Sequence, residues 1–288
     1  MRIRRVSNAN LEPGMVALLG VPYDENSSFL AGPALSPDRI RETLLSGESS
    51  LCTEHGADLG SDSRFVDLGN LSLDRGLEAR EQIAAGIAGI LDDGVRILSL
   101  GGDHAVSYPV LKAYHRHWPR LNVLHFDAHP DLYDELDGNR YSHACPFARA
   151  MEECLVARLV QVGIRNRTVH QREQAERFGV ETVEAAAWET ALALEFDGPV
   201  YLSVDLDVLD PAFAPGVSHH EPGGLTSREL IRILHSVRAP VVGADIVELN
   251  PHRDPVGITA ALAAKLVKEI AGIMLRQEEQ RIDTGLQA

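Results

Sequence analysis

Three short segments of the sequence each carry several side chains that can bind a metal ion. They read GGDH (101–104), DAHPD (127–131) and SVDLDVLD (203–210). Carboxylates and imidazoles together suit divalent ions such as Mn²⁺, Fe, Co, Ni or Zn. The side chains concerned are Asp103, His104, Asp127, His129, Asp131, Asp205, Asp207 and Asp210. The chemistry to expect from such a set is metal-assisted hydrolysis, in which two neighbouring ions share and activate a water molecule.

The spacing within these segments brings the side chains together. In an extended chain, residues at every second position share a face. Asp127, His129 and Asp131 have this spacing, and so do Asp205 and Asp207. Carboxylates gathered at the edge of an apolar core repel one another and are costly to desolvate unless they take up protons or a cation. If Asp127 and Asp205 bridge two divalent ions, the aspartate and metal charges balance.

Each segment alone has an ordinary structural explanation. An isolated DxD is typical of a solvated turn, and an isolated GGDH of a tight turn before a helix. All three segments, however, directly follow apolar runs of strand length. In an open parallel sheet the carboxyl ends of the strands meet at one edge, where ligands bind. The three segments together therefore favour a single site at that edge.

The elements that must position these residues alternate between strand and helix patterns. Several apolar runs lack a polar face, as expected of strands buried between two layers of helices. We predict strands within 15–24, 95–104, 121–129, 158–164, 199–210 and 240–250. We predict helices within 36–46, 77–94, 106–118, 168–179, 226–237 and 258–274. This alternation predicts an α/β fold with a mainly parallel central sheet and helices on both faces.

Composition restricts the class of protein. The chain has 288 residues, of which 44% are hydrophobic and 24% charged, as in soluble globular proteins. We expect a single domain over 1–288 and, because no apolar run approaches the ~20 residues of a membrane span, a cytoplasmic protein with no membrane partner. The formal charge of −15 disfavours nucleic acid as a partner. The three cysteines form no CxxC pair, which disfavours a thiolate zinc or redox site.

The three segments resemble the signature segments of the arginase and agmatinase family, the ureohydrolases. The resemblance extends to GVPYDENSSFLAGPALSPDRIR (20–41), GGLTSREL (223–230) and GADIVELNP (243–251). It implies a three-layer α/β/α fold, two Mn²⁺ ions per subunit and a homo-oligomer, a trimer or a hexamer. It also implies hydrolysis of a guanidino substrate to urea and an amine, in which a hydroxide that bridges the metals attacks the guanidinium carbon.

The resemblance also implies roles for individual residues. One ion is expected on His104, Asp127, Asp131 and Asp205, and the other on His129, Asp127, Asp205 and Asp207. His143 matches the family's proton-shuttling histidine, and Glu248 matches the carboxylate that pairs with the guanidinium. The structural alternatives are that His143 only begins a helix and that Glu248 is only a charge at a strand end. His125 is expected on the opposite face of its strand, packed in the core.

Three loops depart from the family pattern and bear on the substrate. His219 lies in VSHHEPGG (217–224), where it is either a specificity residue or part of a polar rim. Arg167 stands where arginases place an acid for the α-amino group, so we expect it to favour a substrate carboxylate instead. The loop 132–142 lacks the hydroxyl residues that arginases use around the substrate carboxylate. Strict arginase activity is therefore expected to rank below agmatinase-like or guanidino-acid hydrolysis.

Three alternatives follow from the same residues. A formimidoylglutamase would use a similar metal centre on a formimino substrate and release formamide rather than urea. A catalytically silent, metal-stabilised binding subunit is disfavoured because all six matched ligand positions are intact. A nucleotide-binding protein is disfavoured because the glycines do not fit GxGxxG.

Overall fold

The computed structural model describes residues 3–187 and 194–284. These residues contain one sheet, and every neighbouring pair of its strands is parallel. In chain order its strands are β1 (Arg4–Arg5), β2 (Val16–Gly20), β3 (Phe65–Asn70), β4 (Arg96–Leu100), β5 (Asn122–Phe126), β6 (Arg158–Ile164), β7 (Glu181–Glu184), β8 (Val200–Asp205) and β9 (Val241–Val247). Their spatial order is β1-β3-β2-β4-β9-β8-β5-β6-β7. The predicted parallel sheet is confirmed.

Helices cover both faces of this sheet. They are α1 (Ser36–Leu45), α2 (Gly76–Asp92), α3 (Ser107–His115), α4 (Pro146–Glu152), α5 (Val169–Phe178), α6 (Ser227–Ser236) and α7 (Ile258–Thr284). Helices α1, α6 and α7 contribute buried side chains to one hydrophobic cluster, and α2, α3, α4 and α5 to a second. None of the helices in the described ranges combines the length and hydropathy needed to cross a bilayer.

The strand sequences explain why two clusters form. Ile97 and Leu98 are neighbours in β4, yet Leu98 belongs to the first cluster and Ile97 to the second. Successive strand residues point to opposite faces, so a strand that is apolar at every position must be covered on both sides. The three-layer α/β/α arrangement follows from this pattern.

The helix boundaries follow from local signals. At α6 the side chain of Thr226 accepts from the backbone N–H of Glu229, and Glu229 accepts in return from the backbone of Thr226. Thr168 and Gln171 form the same capping box at α5, which ends at Gly179 in the left-handed conformation. Such pairs satisfy backbone N–H groups that have no partner within the helix.

Four elements were not predicted from the sequence. The segment FVDLGN of β3 contains Asp67 and Gly69, which interrupt an apolar strand pattern. Asp67 is tolerated there because its carboxylate lies 3.0 Å from Nε of the buried Arg41. The other three, β1, β7 and α4, are short, and α7 continues past the predicted end at 274 to Thr284.

The central strands β4, β9, β8 and β5 are consecutive neighbours in the sheet. Their carboxyl ends therefore meet at the middle of one edge. GGDH follows β4, DAHPD follows β5, SVDLDVLD overlaps the end of β8, and Glu248 follows β9 directly.

Candidate metal centre

A tight backbone approach positions His104 after β4. The chain passes so close to the segment beside it that a Cβ on Gly102 would lie 1.8 Å from the carbonyl oxygen of Tyr23. The carboxylate of Asp103 accepts from the backbone N–H groups of Ala105 and Asn26, at 3.1 and 3.0 Å. The two glycines of GGDH thus allow the close approach, and Asp103 fixes the turn that presents His104.

The buried ring of His104 directs Nδ1 towards three carboxylates. Nδ1 lies 3.1 Å from Oδ2 of Asp127, 3.1 Å from Oδ2 of Asp131 and 3.3 Å from Oδ2 of Asp205. None of these approaches has hydrogen-bond geometry, so Nδ1 is a buried polar atom without a hydrogen bond. On the other side of the ring, Nε2 lies 3.0 Å from Oγ of Ser203. A divalent ion between Nδ1 and the carboxylates would satisfy all of these groups.

His129 faces the same aspartate from the opposite side. Its Nδ1 lies 3.0 Å from Oδ2 of Asp207 and 3.4 Å from Oδ1 of Asp127. Asp127 therefore presents one carboxylate oxygen to His104 and the other to His129. The structure thus brings together all six residues predicted as metal ligands, with Asp127 in the position expected of a bridge.

A second pair of side chains lies beside this cluster. Oε1 of Glu248 accepts from the backbone N–H of His104 at 2.9 Å and lies 3.1 Å from Nδ1 of His143. The other ring nitrogen of His143 lies 2.8 Å from Oγ of Ser28. Glu248 and Asp131 both have positive φ angles, 66° and 52°. Non-glycine residues rarely adopt this conformation, and such strain is concentrated at functional sites.

A cavity of about 190 Å³ opens onto both groups of residues. Its walls include His129, Asp131, His143, His219 and Glu248. The ring of His219 is stacked on the ring of His143, with 5.3 Å between the centroids. Predicted metal ligands, the predicted proton shuttle and the predicted guanidinium partner therefore share one cavity.

Comparisons with known proteins show which family the chain belongs to. The arginase family model matches residues 15–272. This chain belongs to the arginase family. It is 46% identical to "Arginase 1, mitochondrial" of Arabidopsis thaliana over 272 residues, 88% of this chain and 80% of that relative. It is 33% identical to an agmatinase of Halalkalibacterium halodurans over 278 residues, 92% of this chain and 94% of that relative.

A solved arginase from Medicago truncatula superimposes with a TM-score of 0.85 at 43% identity, covering 90% of this chain and 87% of that one. The arginase-like fold predicted from the sequence is therefore confirmed. As a member of the arginase family, the protein is a hydrolase that acts on the C–N bonds of guanidino compounds.

The electrostatics of the arginase-family centre fit a divalent metal. Burial and the neighbouring charges of Asp207 and Asp127 raise the pKa of Asp205 well above its usual value. Burial and the charge of Asp127 also raise the pKa of Asp131. Carboxylates that repel one another in a buried site are stabilised when cations replace their protons. Two imidazoles and four carboxylates form a mixed nitrogen and oxygen ligand set suited to Mn²⁺.

His143 and Glu248 form a charged pair. Burial lowers the pKa of His143, but the hydrogen bond to Glu248 and the charges of Glu248, Asp131 and Asp103 outweigh burial and raise the pKa to about 9. Burial raises the pKa of Glu248, but the contacts with His143 and the backbone N–H of His104 outweigh it, so this pKa is lowered. The two pKa shifts favour the imidazolium form of His143 and the carboxylate form of Glu248.

Arg167, predicted to contact the substrate, is not among the described residues that line this cavity. Its guanidinium forms an ion pair with Glu184. The preceding residue, Asn166, does line the cavity. Nδ2 of Asn166 donates to the carboxylate of Glu221 at 2.5 Å. Oε1 of Glu221 also lies 3.8 Å from Nε2 of His129. Glu221, from the loop 217–224, is therefore an acid in contact with two residues that line the cavity, although it is not itself one of the lining residues.

Sequence reasoning misplaced His125 and did not recognise Arg165. His125 is buried, as expected, but it shares the face of Asp127, with Nε2 2.8 Å from Oδ2 of that carboxylate.

The guanidinium of Arg165 donates to the backbone carbonyls of five residues, which are Gly163, Asp207, Val208, Leu209 and Glu221. Arg165 therefore ties the segment that presents Asp207 to the loop that presents Glu221.

Proposed function

We propose that this protein is a manganese-dependent arginase that hydrolyses L-arginine to urea and L-ornithine. The observation that carries the proposal is the position of Glu248, a buried carboxylate that lines the cavity directly beside the metal-capable cluster. A carboxylate is the natural bidentate partner of a guanidinium group. The 46% identity with a relative named arginase supports L-arginine as the first substrate to consider.

Six residues would hold the metal. His104, Asp127, Asp131 and Asp205 would bind one Mn²⁺ ion, and His129, Asp127, Asp205 and Asp207 the other. When bound, the two ions supply an activated water as nucleophile and positive charge beside the reacting carbon. The centre thus needs no nucleophilic side chain from the protein.

The protein's own residues bind the substrate and move a proton. Glu248 accepts hydrogen bonds from the guanidinium nitrogens and holds the carbon over the cluster. The imidazolium of His143 donates its proton to the nitrogen that leaves as the amine. Ser28 contacts the opposite ring nitrogen of His143 and holds the ring in place. The ring of His219, stacked on His143, limits the width of the cavity next to the reacting group.

The position of Glu221 changes the expected order of substrates. Arginine was ranked below agmatine and guanidino acids for two reasons: a cation at position 167 would repel the α-ammonium group, and the loop 132–142 lacks the hydroxyl residues that arginases use around the substrate carboxylate. Arg167 instead pairs with Glu184, and Glu221 supplies a carboxylate next to Asn166. Glu221 is suited to bind the α-ammonium group of arginine, and the amides of Asn166 and Gln171 line the same cavity and can donate to the α-carboxylate.

Agmatine is the second candidate, because it is arginine without the carboxylate. None of the described residues that line the cavity is a lysine or an arginine, so the α-carboxylate of arginine would meet only neutral donors. The relative of 33% identity named agmatinase also supports this candidate. The two substrates would thus differ only in the carboxylate group that Asn166 and Gln171 can bind.

Steady-state kinetics of the Mn²⁺-loaded protein test the proposal. L-Arginine, agmatine, 4-guanidinobutyrate and formimidoylglutamate are supplied in parallel while urea and formamide are measured. We expect urea from L-arginine with a kcat/KM at least about tenfold above that for agmatine, a difference of about 1.4 kcal/mol. A higher kcat/KM for agmatine than for L-arginine would identify the protein as an agmatinase. Release of formamide from formimidoylglutamate would identify it as a formimidoylglutamase. Product from none of the four would contradict the proposal and favour a silent binding subunit.

We also propose that the chain forms a single domain over 1–288 and assembles as a homotrimer or homohexamer in the cytoplasm. Sedimentation or mass photometry of the purified protein tests the assembly. A monomer at micromolar concentration would contradict it.

A further inference from the structure

We propose that His125 and Gln161 form an orienting pair that fixes the carboxylate of Asp127 in the position needed to bridge two metal ions. His125 is a positioning residue in this proposal and not a metal ligand. The inference rests on the proposed function, since it assumes that Asp127 binds metal, and it adds two residues that act from outside the ligand set.

The contacts of Gln161 determine which ring nitrogen of His125 carries the proton. Nε2 of Gln161 lies 2.6 Å from the carbonyl oxygen of Pro130 and 3.0 Å from Nδ1 of His125. A carbonyl oxygen only accepts, so the amide must present its NH₂ group to both atoms. Nδ1 of a neutral His125 is therefore an acceptor, and the proton is on Nε2.

The protonated nitrogen of His125 faces Asp127. Nε2 lies 2.8 Å from Oδ2 of Asp127, so it donates a hydrogen bond to that oxygen. The other oxygen, Oδ1, accepts from the backbone N–H of His129 at 2.6 Å. Each carboxylate oxygen thus has one donor from the protein, which fixes the carboxylate plane and leaves a lone pair on each oxygen for a metal.

The sheet register makes this arrangement rigid. His125 on β5 is directly opposite Gln161 on β6, and both side chains are fully buried. The ring of His125 also packs against Phe147, with 4.0 Å between the ring centroids. The amide oxygen of Gln161 is buried without a hydrogen-bond partner. Leaving that oxygen without a hydrogen bond is costly, so the two contacts of the NH₂ group must outweigh this cost to hold the amide in its orientation.

A direct metal–His125 bond is the competing interpretation. Ligand atoms of His104, His125 and Asp127 all lie within 4.8 Å of one another, close enough to share an ion. However, both ring nitrogens of His125 already have partners, one in Gln161 and one in Asp127. Nδ1 of His104, in contrast, has no hydrogen bond. These contacts assign His104 to the metal and His125 to Asp127.

The test measures Mn²⁺ content and affinity, so it does not depend on which substrate is turned over. His125→Leu removes the donor, His125→Gln retains an amide donor, and His117→Leu, in the turn that follows α3, is the control. We expect His125→Leu to bind two ions per chain at saturation, with an affinity at least about tenfold weaker and a reduced kcat. His125→Gln should recover part of both losses, and the control should match the wild type.

Two outcomes would overturn the proposal. A folded His125→Leu protein with wild-type Mn²⁺ affinity and kcat would show that the donor has no role. If His125→Leu binds only one ion per chain at saturation, His125 is itself a metal ligand. If His125→Leu does not fold, Gln161→Leu is the second test. It retains His125 but removes the amide that orients the His125 ring, so unchanged Mn²⁺ affinity in this variant would contradict the proposal. Wild-type protein that binds Mn²⁺ but hydrolyses no guanidino compound would refute the proposed function alone.

Discussion

Nδ1 of His143 lies 3.1 Å from Oε1 of Glu248 in the wall of the cavity, next to the cluster of aspartates. The contact joins a proton donor to the carboxylate proposed to bind the guanidinium. In the proposed mechanism, this contact couples substrate binding by Glu248 to protonation of the leaving amine by His143.

The raised pKa of His143, about 9, predicts how activity depends on pH. A proton donor with a raised pKa remains protonated at and below neutral pH and loses its proton as the pH rises through about 9. We expect kcat to fall above about pH 9, and His143→Asn to lower kcat by about 100-fold or more while two Mn²⁺ ions remain bound. Unchanged kcat in His143→Asn between about pH 7 and 10 would exclude the role of proton donor.

Asp127→Ala should remove metal and activity together. Asp127 is buried between His104 and His129, and its loss leaves both without the shared carboxylate. We expect less than about 1% of wild-type kcat/KM and fewer than two ions per chain. Asp134→Ala is the matched control, because Asp134 contacts Gln174 instead of the cluster. Elemental analysis and urea release check both variants, and normal metal content in Asp127→Ala would be incompatible with a bridge.

Arg165 and Arg167 offer a matched pair of substitutions. Arg165 donates to five backbone carbonyls, whereas Arg167 contacts the partly exposed Glu184. We expect Arg165→Ala to lower the free energy of unfolding by about 2–3 kcal/mol and to weaken Mn²⁺ binding. Arg167→Ala should cost less than about 1 kcal/mol and leave KM for L-arginine unchanged. Urea denaturation at fixed Mn²⁺ concentration checks stability; a raised KM in Arg167→Ala would restore its expected substrate role.

Metal binding should release protons. Burial lowers the pKa of His129, but the charges of Asp207 and Asp127 outweigh it and raise the pKa far above its usual value. Burial and like charge also raise the pKa of Asp205. The metal-free cluster therefore carries protons at about pH 7 that Mn²⁺ displaces, and affinity falls as the pH falls. Calorimetric titrations in buffers of different ionisation enthalpy measure this release, and identical heats in all buffers would contradict it.

The sequence was sufficient to predict that the residues of the cluster meet, because the three segments stand at the carboxyl ends of buried strands, which share one edge of a parallel sheet. The resemblance to the ureohydrolases then selected six of the eight candidate ligands. The alternating spacing did not carry the prediction for Asp127, His129 and Asp131, because β5 ends at Phe126 and Asp131 has a left-handed φ of 52°. The alternation of strands and helices likewise predicted the parallel sheet. These features are local, so they can be read from neighbouring residues.

Features that depend on contacts between distant segments were not predicted. Gln161 orients His125 because β5 and β6 pair in one register, and no local pattern specifies that register. The direction of an arginine in a loop is equally undetermined, so Arg167 was assigned to the cavity and Arg165 was not considered. The placement of His125 on the wrong face was an error of local reasoning, since its separation of two residues from Asp127 implies a shared face.

The most direct test of a two-metal centre built around Asp127 is anomalous diffraction at the manganese absorption edge, from crystals of the Mn²⁺-loaded protein. We predict two peaks per chain on either side of the Asp127 carboxylate, one beside His104 and one beside His129. A single peak among His104, His125 and Asp127, or two peaks that do not share Asp127, would contradict this centre.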